Sequence, residues 1–91
     1  MKIQFDPAKR EWTLRNRGLD LAKAGEIFEQ FTLTHEDERE DYGEDRFVTY
    51  GILDGDLVAC AWTQRGDARR IISLRKARKD EREIYNLSRP R

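Results

Sequence analysis

Cysteine, histidine and long apolar runs are scarce in this chain, and each shortage removes a class of function. Cys60 is the only cysteine. An intramolecular disulfide and a cysteine-based zinc site are therefore excluded, and a reducing, cytoplasmic setting is expected. His35 is the only histidine, and no Gly-x-Ser-x-Gly nucleophile turn accompanies it to build a hydrolase triad. Followed by Glu36 and Asp37, it reads as a solvated strand end rather than a metal ligand. Gly-rich phosphate loops are missing, and the acids of the middle segment lack calcium-loop spacing, so neither a metal nor a cofactor is expected. The longest apolar run, Leu57 to Trp62, has six residues, where a membrane-spanning helix needs about 20. The opening MKIQFDPAKR has no apolar stretch of the secretory type, so neither export nor a membrane partner is expected.

Charge is abundant. Of 91 residues, 40% are charged, with 18 basic and 18 acidic side chains that cancel. A globular domain usually carries about 25%. Nine aromatic residues and several clean apolar runs argue against disorder, and the length suits a single domain over residues 1–91. The charges are segregated. Residues 31–45 hold seven acids and one base, whereas residues 65–91 hold ten bases and four acids. Such blocks either attract a polyanion or are ordinary solvated faces.

Local signals define the elements. Lys2 to Phe5 alternates as a short strand. Asp6-Pro7 is a helix start and Arg17-Gly18 a helix stop, which predicts a helix over Pro7 to Asn16 anchored by Trp12. Asp20 caps a second predicted helix, Leu21 to Gln30, whose face is Leu21, Ala24, Ile27, Phe28 and Phe31. Phe31 to His35 suits a strand, and the acidic stretch Glu36 to Asp45 a loop. Arg46 to Leu53 and Leu57 to Arg65 are strands joined by the hairpin signal Asp54-Gly55. Gly66-Asp67 turns the chain into a further strand from Arg69 to Arg75, and Ala77 to Ser88 forms a closing helix stopped by Pro90. The expected fold is α+β: an antiparallel sheet packed with two N-terminal helices and one C-terminal helix. The expected core contains Trp12, Leu21, Ile27, Phe28, Val58, Trp62, Ile72 and Leu74.

Alternation places Arg46, Val48, Tyr50 and Ile52 on one face of their strand. It also sets Arg69, Ile71, Ser73 and Arg75 opposite Arg70, Ile72, Leu74 and Lys76. Arginines at the ends of adjacent strands can converge on one point, where guanidinium groups suit a phosphate; simple rim charge is the alternative. On the last helix Arg78, Arg82 and Tyr85 are spaced to share a stripe, which suits either a phosphate and a stacked base or packing of the helix onto the sheet. Ile84 and Leu87 are expected to face the sheet. Cys60 reads as core rather than as a reactive thiol.

The residues Asp6, Lys9, Asn16, Gly18, Leu21, Ala24 and Phe28 resemble the opening of BrnT toxins, the ribonucleases of type II toxin–antitoxin modules. The second half is more specific: Gly43-Glu44-x-Arg46, Gly51, Leu57-Val58, Arg65, and then RIISLRKARKDEREIY from Arg70 to Tyr85. The resemblance runs from Asp6 to Tyr85. Arg17 departs from the family's usual His, and Leu21 from its usual Phe.

The resemblance implies a RelE-like fold and metal-independent RNA cleavage by attack of the ribose 2′-OH on the adjacent phosphate. Arg65 and Arg75 match the family positions best as charge-stabilising residues, followed by Arg46 and Lys79. Glu44 or Tyr85 would exchange protons, and Arg70, Lys76, Arg78 and Arg82 would hold RNA. It implies a BrnA-type antitoxin with a ribbon-helix-helix domain as partner, with operator DNA touched only through that partner, and inhibition of translation and growth. The antitoxin is expected to cover the basic C-terminal third rather than the acidic loop. A protein that has kept the fold and binds a ribbon-helix-helix protein without catalysis is the alternative.

Overall fold

The structure, a computed structural model, describes residues 1–90. Its elements follow in the order β1 (Lys2–Phe5), α1 (Pro7–Arg17), a 3₁₀ segment (Leu21–Glu29), β2 (Leu33–Glu36), β3 (Arg46–Leu53), β4 (Asp56–Arg65), β5 (Ala68–Lys76) and α2 (Lys79–Ser88). The five strands form one sheet in the order β1-β5-β4-β3-β2. Strands β2 to β5 are antiparallel neighbours, but β1 pairs in parallel with β5. The sheet is therefore mixed, not antiparallel throughout. Tight turns force antiparallel pairing on the strands they join, whereas β1 reaches β5 with no turn between them, and its direction is set by the helical crossover.

Local chemistry explains most boundaries. The Asp6 carboxylate accepts the Ala8 N–H, Pro7 sits in the first turn of α1, and Gly18 closes the helix at φ 69°. The hairpin between β3 and β4 has both central residues, Asp54 (φ 50°) and Gly55 (φ 84°), in the left-handed region, as a two-residue turn matched to strand twist requires.

Expectations about packing fail at several further points. First, Trp12 is 53% exposed. Helix α1 docks mainly through polar groups instead: Arg10 on Asp20 at 2.8 Å, and Arg17 on the Leu74 carbonyl at 2.7 Å. Trp12 lies on the outer side under the Arg17 guanidinium. Second, Leu21–Glu29 is 3₁₀ rather than α-helical. Its spacing of three is the 3₁₀ repeat, so Leu21, Ala24 and Ile27 stack on one line and are fully buried. Phe28 falls off that line and is half-buried, edge-on to Trp62, itself only half-buried. Gly51 of β3 lies beneath, where a Cβ would stand 2.6 Å from Ile27 Cγ2. Third, a bulge interrupts the β4–β5 ladder. Ala61 pairs with Ser73 and Trp62 with Ile71, so Ile72 has no partner. The extra residue inverts the alternation beyond it. Ile71 and Leu74 both enter the core, while Ile72 is only half-buried.

The core thus lies between one sheet face and the 3₁₀ segment, and includes Leu53, Val58, Cys60, Ile71 and Leu74. Burial pushes the Cys60 thiol up to about 12, which suits packing rather than reactivity. Helix α2 is rotated from expectation. Glu81 and Tyr85 point inward, whereas Ile84 and Leu87 are 59% and 87% exposed. An anchored Glu81 brings Tyr85, one turn later, to the same side.

Candidate active site on the open sheet face

Small residues create the site. Two rows of paired residues cross the sheet on the face opposite the 3₁₀ segment. One is His35, Val48, Ala61 and Ser73; the other includes Tyr50, Ala59 and Arg75. The alanines leave a floor with little side chain above it, and a cleft of about 320 Å³ results. Its walls are residues Glu36 to Arg39 on one side and Arg78 at the start of α2 on the other.

One carboxylate organises this cleft. Glu81 accepts two bonds from Arg75, at 2.7 and 2.9 Å, and one from the Tyr50 hydroxyl at 3.0 Å. It also accepts the Arg78 backbone N–H at 2.8 Å and pairs with the Arg78 guanidinium at 3.1 Å. The Arg75 guanidinium, first among these donors, holds the Glu81 carboxyl down at about 2. The same carboxylate raises the pKa of Arg75. Burial, and then the bond to Glu81, push the Tyr50 hydroxyl up, so it stays protonated and acts as a donor. His35 completes the cluster: Nε2 lies 3.4 Å from the Tyr50 oxygen, and Nδ1 lies 3.1 Å from the Glu36 carbonyl.

Arg65 and Arg75 do not converge. Arg65 pairs with Ala68 and Arg75 with Ala59, and six residues along β4 separate these rungs by about 20 Å. Arg65 instead joins Glu44 at 3.3 Å, and Arg46 reaches the same carboxylate at 3.5 Å while stacking on Tyr42. Arg70 lies near this second cluster, across Thr63 from Arg46. The bulge keeps Arg69 away from both clusters. Its guanidinium sits 3.8 Å from the Phe28 ring centroid on the helix-covered face, with Nε buried and unbonded.

The remaining candidates lie apart. Tyr85 is buried and its hydroxyl is donated to the Phe31 carbonyl at 2.8 Å, so it packs α2 and has no free proton for chemistry. The stripe expected of Arg78, Arg82 and Tyr85 is therefore not formed; Arg82 turns to the Ala77 carbonyl. Lys76 pairs loosely with Asp56 at 3.8 Å. Lys79 is exposed at the start of α2, with no ion pair among the described residues.

The acidic loop is more than a solvated tether. Asp37 takes two bonds from Arg39, each 2.8 Å, and its carboxyl is drawn down to about 2. Its N–H bonds the Arg46 carbonyl at 2.7 Å, which extends the β3 edge and sets the loop as a wall of the cleft. Sequence reasoning missed His35, Tyr50 and Glu81 as site residues. Alternation along β3 did place Tyr50 beside Val48, but no local signal links Glu81 to either.

A small α+β protein with one uncovered sheet face, two arginine–carboxylate clusters on it and, among the described residues, no helix long and apolar enough to cross a membrane is the class defined so far. The chain belongs to the BrnT family, the ribonuclease toxins of type II toxin–antitoxin systems, which it matches over residues 5–81. Membership makes it a toxin with ribonuclease activity and an antitoxin as partner. No curated protein is similar enough to the chain to count as a match.

Proposed function

We propose that the open sheet face is the ribonuclease site, and that it cleaves RNA without a metal by attack of a ribose 2′-OH on the neighbouring phosphate. The observation that carries this reading is Arg75, fixed by two hydrogen bonds to Glu81 at the edge of an alanine-floored cleft. Guanidinium has five N–H donors. Glu81 takes two from Arg75, and others remain for the phosphate as its charge grows in the transition state. A donor already in position needs no reorganisation during the reaction, which is where most of its benefit arises. Arg78 adds a second cation at the cleft wall. Arg46 and Arg65, at the far end of the same face and steadied by Glu44, hold a flanking phosphate of the strand together with Arg70 beside them.

The RelE-like relationship, arrest of translation in the cytoplasm and a BrnA-type antitoxin belong to the same proposal. A ribbon-helix-helix antitoxin silences the toxin by covering its cations and carries the complex to operator DNA. Cleavage of RNA by purified protein in EDTA, leaving 2′,3′-cyclic phosphate and 5′-hydroxyl ends, is the test. Arg75→Ala should lower the rate by about 10²–10³ while the protein stays folded. Full activity in that variant, or activity that requires a divalent ion, refutes the proposal.

A further inference from the structure

Two nitrogens of His35 make two contacts, and their partners restrict the form of the ring. The Glu36 carbonyl only accepts, so Nδ1 must donate to it. The Tyr50 hydroxyl gives its proton to Glu81, so its oxygen can only accept from Nε2. Both contacts are satisfied together only by the doubly protonated imidazole. The Nε2 contact, at 3.4 Å, is the looser of the two, and this is the nitrogen a substrate oxygen can take over. Loose contacts of this kind are common before substrate binds.

We propose that His35 is the general acid of this cleft, delivering the Nε2 proton to the 5′-oxygen that leaves during RNA cleavage. The inference rests on the ribonuclease reading of the cleft. The 2′-O–H bond breaks and its proton passes to solvent water. The 2′-oxygen forms its bond to phosphorus, the bond from phosphorus to the 5′-oxygen breaks, and that oxygen takes the proton from Nε2. Solvent then reprotonates the ring. Arg75 bears the phosphate charge, while the Glu36 carbonyl, accepting from Nδ1, aims the imidazole.

Charges of both signs surround the ring, with acids in excess. The loop presents Glu36, Asp37 and Glu38 to His35, with Arg39 beside them. Strand β5 presents Arg75, and the start of α2 presents Arg78, Asp80 and Glu81.

A leaving group that needs no proton isolates this role. A short RNA cut by the wild type is made in two forms, one natural and one with sulfur replacing the bridging 5′-oxygen at the cut. His35→Ala, on an exposed strand end, should fold as the wild type does. It should cut the natural RNA about 10²-fold more slowly and cut the sulfur RNA at nearly the wild-type rate. An unchanged rate on the natural RNA, or equal slowing on both, overturns the proposal. If Arg75→Ala is inactive in the same assay while His35→Ala is not, only the role of His35 fails. If Arg75→Ala is fully active, the cleft is not the site and both readings fall.

Discussion

Replacing Glu81 by Gln tests the organisation of the cleft without emptying it. The amide keeps the size of the side chain but presents an N–H₂ to a set of donors, so at least one bond to Arg75 or Tyr50 is lost. The carboxyl is held at about 2 against an ordinary 4.5, which corresponds to about 3 kcal/mol at about 1.4 kcal/mol per tenfold change. The side chain is only 8% exposed, but the cleft beside it is wet, so about 2 kcal/mol is the better expectation. For a domain of this size that lowers the melting temperature by about 10 °C. The pH dependence has a definite sign. A carboxyl held below its ordinary value stabilises the fold fully above pH 4.5, progressively less as pH falls, and not at all below about 2. Thermal melts of wild type and Glu81→Gln from pH 7 to pH 2 should therefore converge at the acid end. Asp37 titrates over the same range, but it is common to both proteins and drops out of the difference. Two curves separated by a constant gap would refute the argument, since the lost interaction would then not depend on the charge of Glu81.

Three further predictions test the packing and the partner surface. Gly51→Ala drives a methyl group into Ile27 at 2.6 Å and should cost about 1–3 kcal/mol in denaturant unfolding, without change in the unfolding slope. Trp12→Ala should change stability by no more than about 0.5 kcal/mol, because the ring is 53% exposed; a larger loss would mean that α1 packs through it. Charge reversal at Arg65 and Arg82 should weaken antitoxin binding and change its salt dependence far more than reversal at Glu38 and Glu40. Equal sensitivity in a binding titration would point to docking on the loop or on the exposed Ile84 and Leu87 instead.

Local chemistry in the chain determined the order of elements and most of their ends. Asp6 and Gly18 cap α1, and Asp54-Gly55 adopts the left-handed conformations of its turn. Each of these signals is satisfied within a few residues of itself, so no distant contact is needed to read it. Membership in a ribonuclease toxin family was likewise legible, because the RIISLRKARKDEREIY spacing lies in one continuous stretch. The layout of the candidate site was only partly legible. Strict alternation put Arg69 on the same face as Arg75, and the bulge at Ile72 separated them. Strand-end position suggested that Arg65 and Arg75 meet, whereas ladder register holds them six rungs apart. His35, Tyr50 and Glu81 come from three different elements. They meet only because β2 and β3 pair in a particular register and α2 turns one side toward them. Register, bulges and helix rotation are settled by how the whole core closes, so the tertiary structure alone decided which charged residues share the cleft.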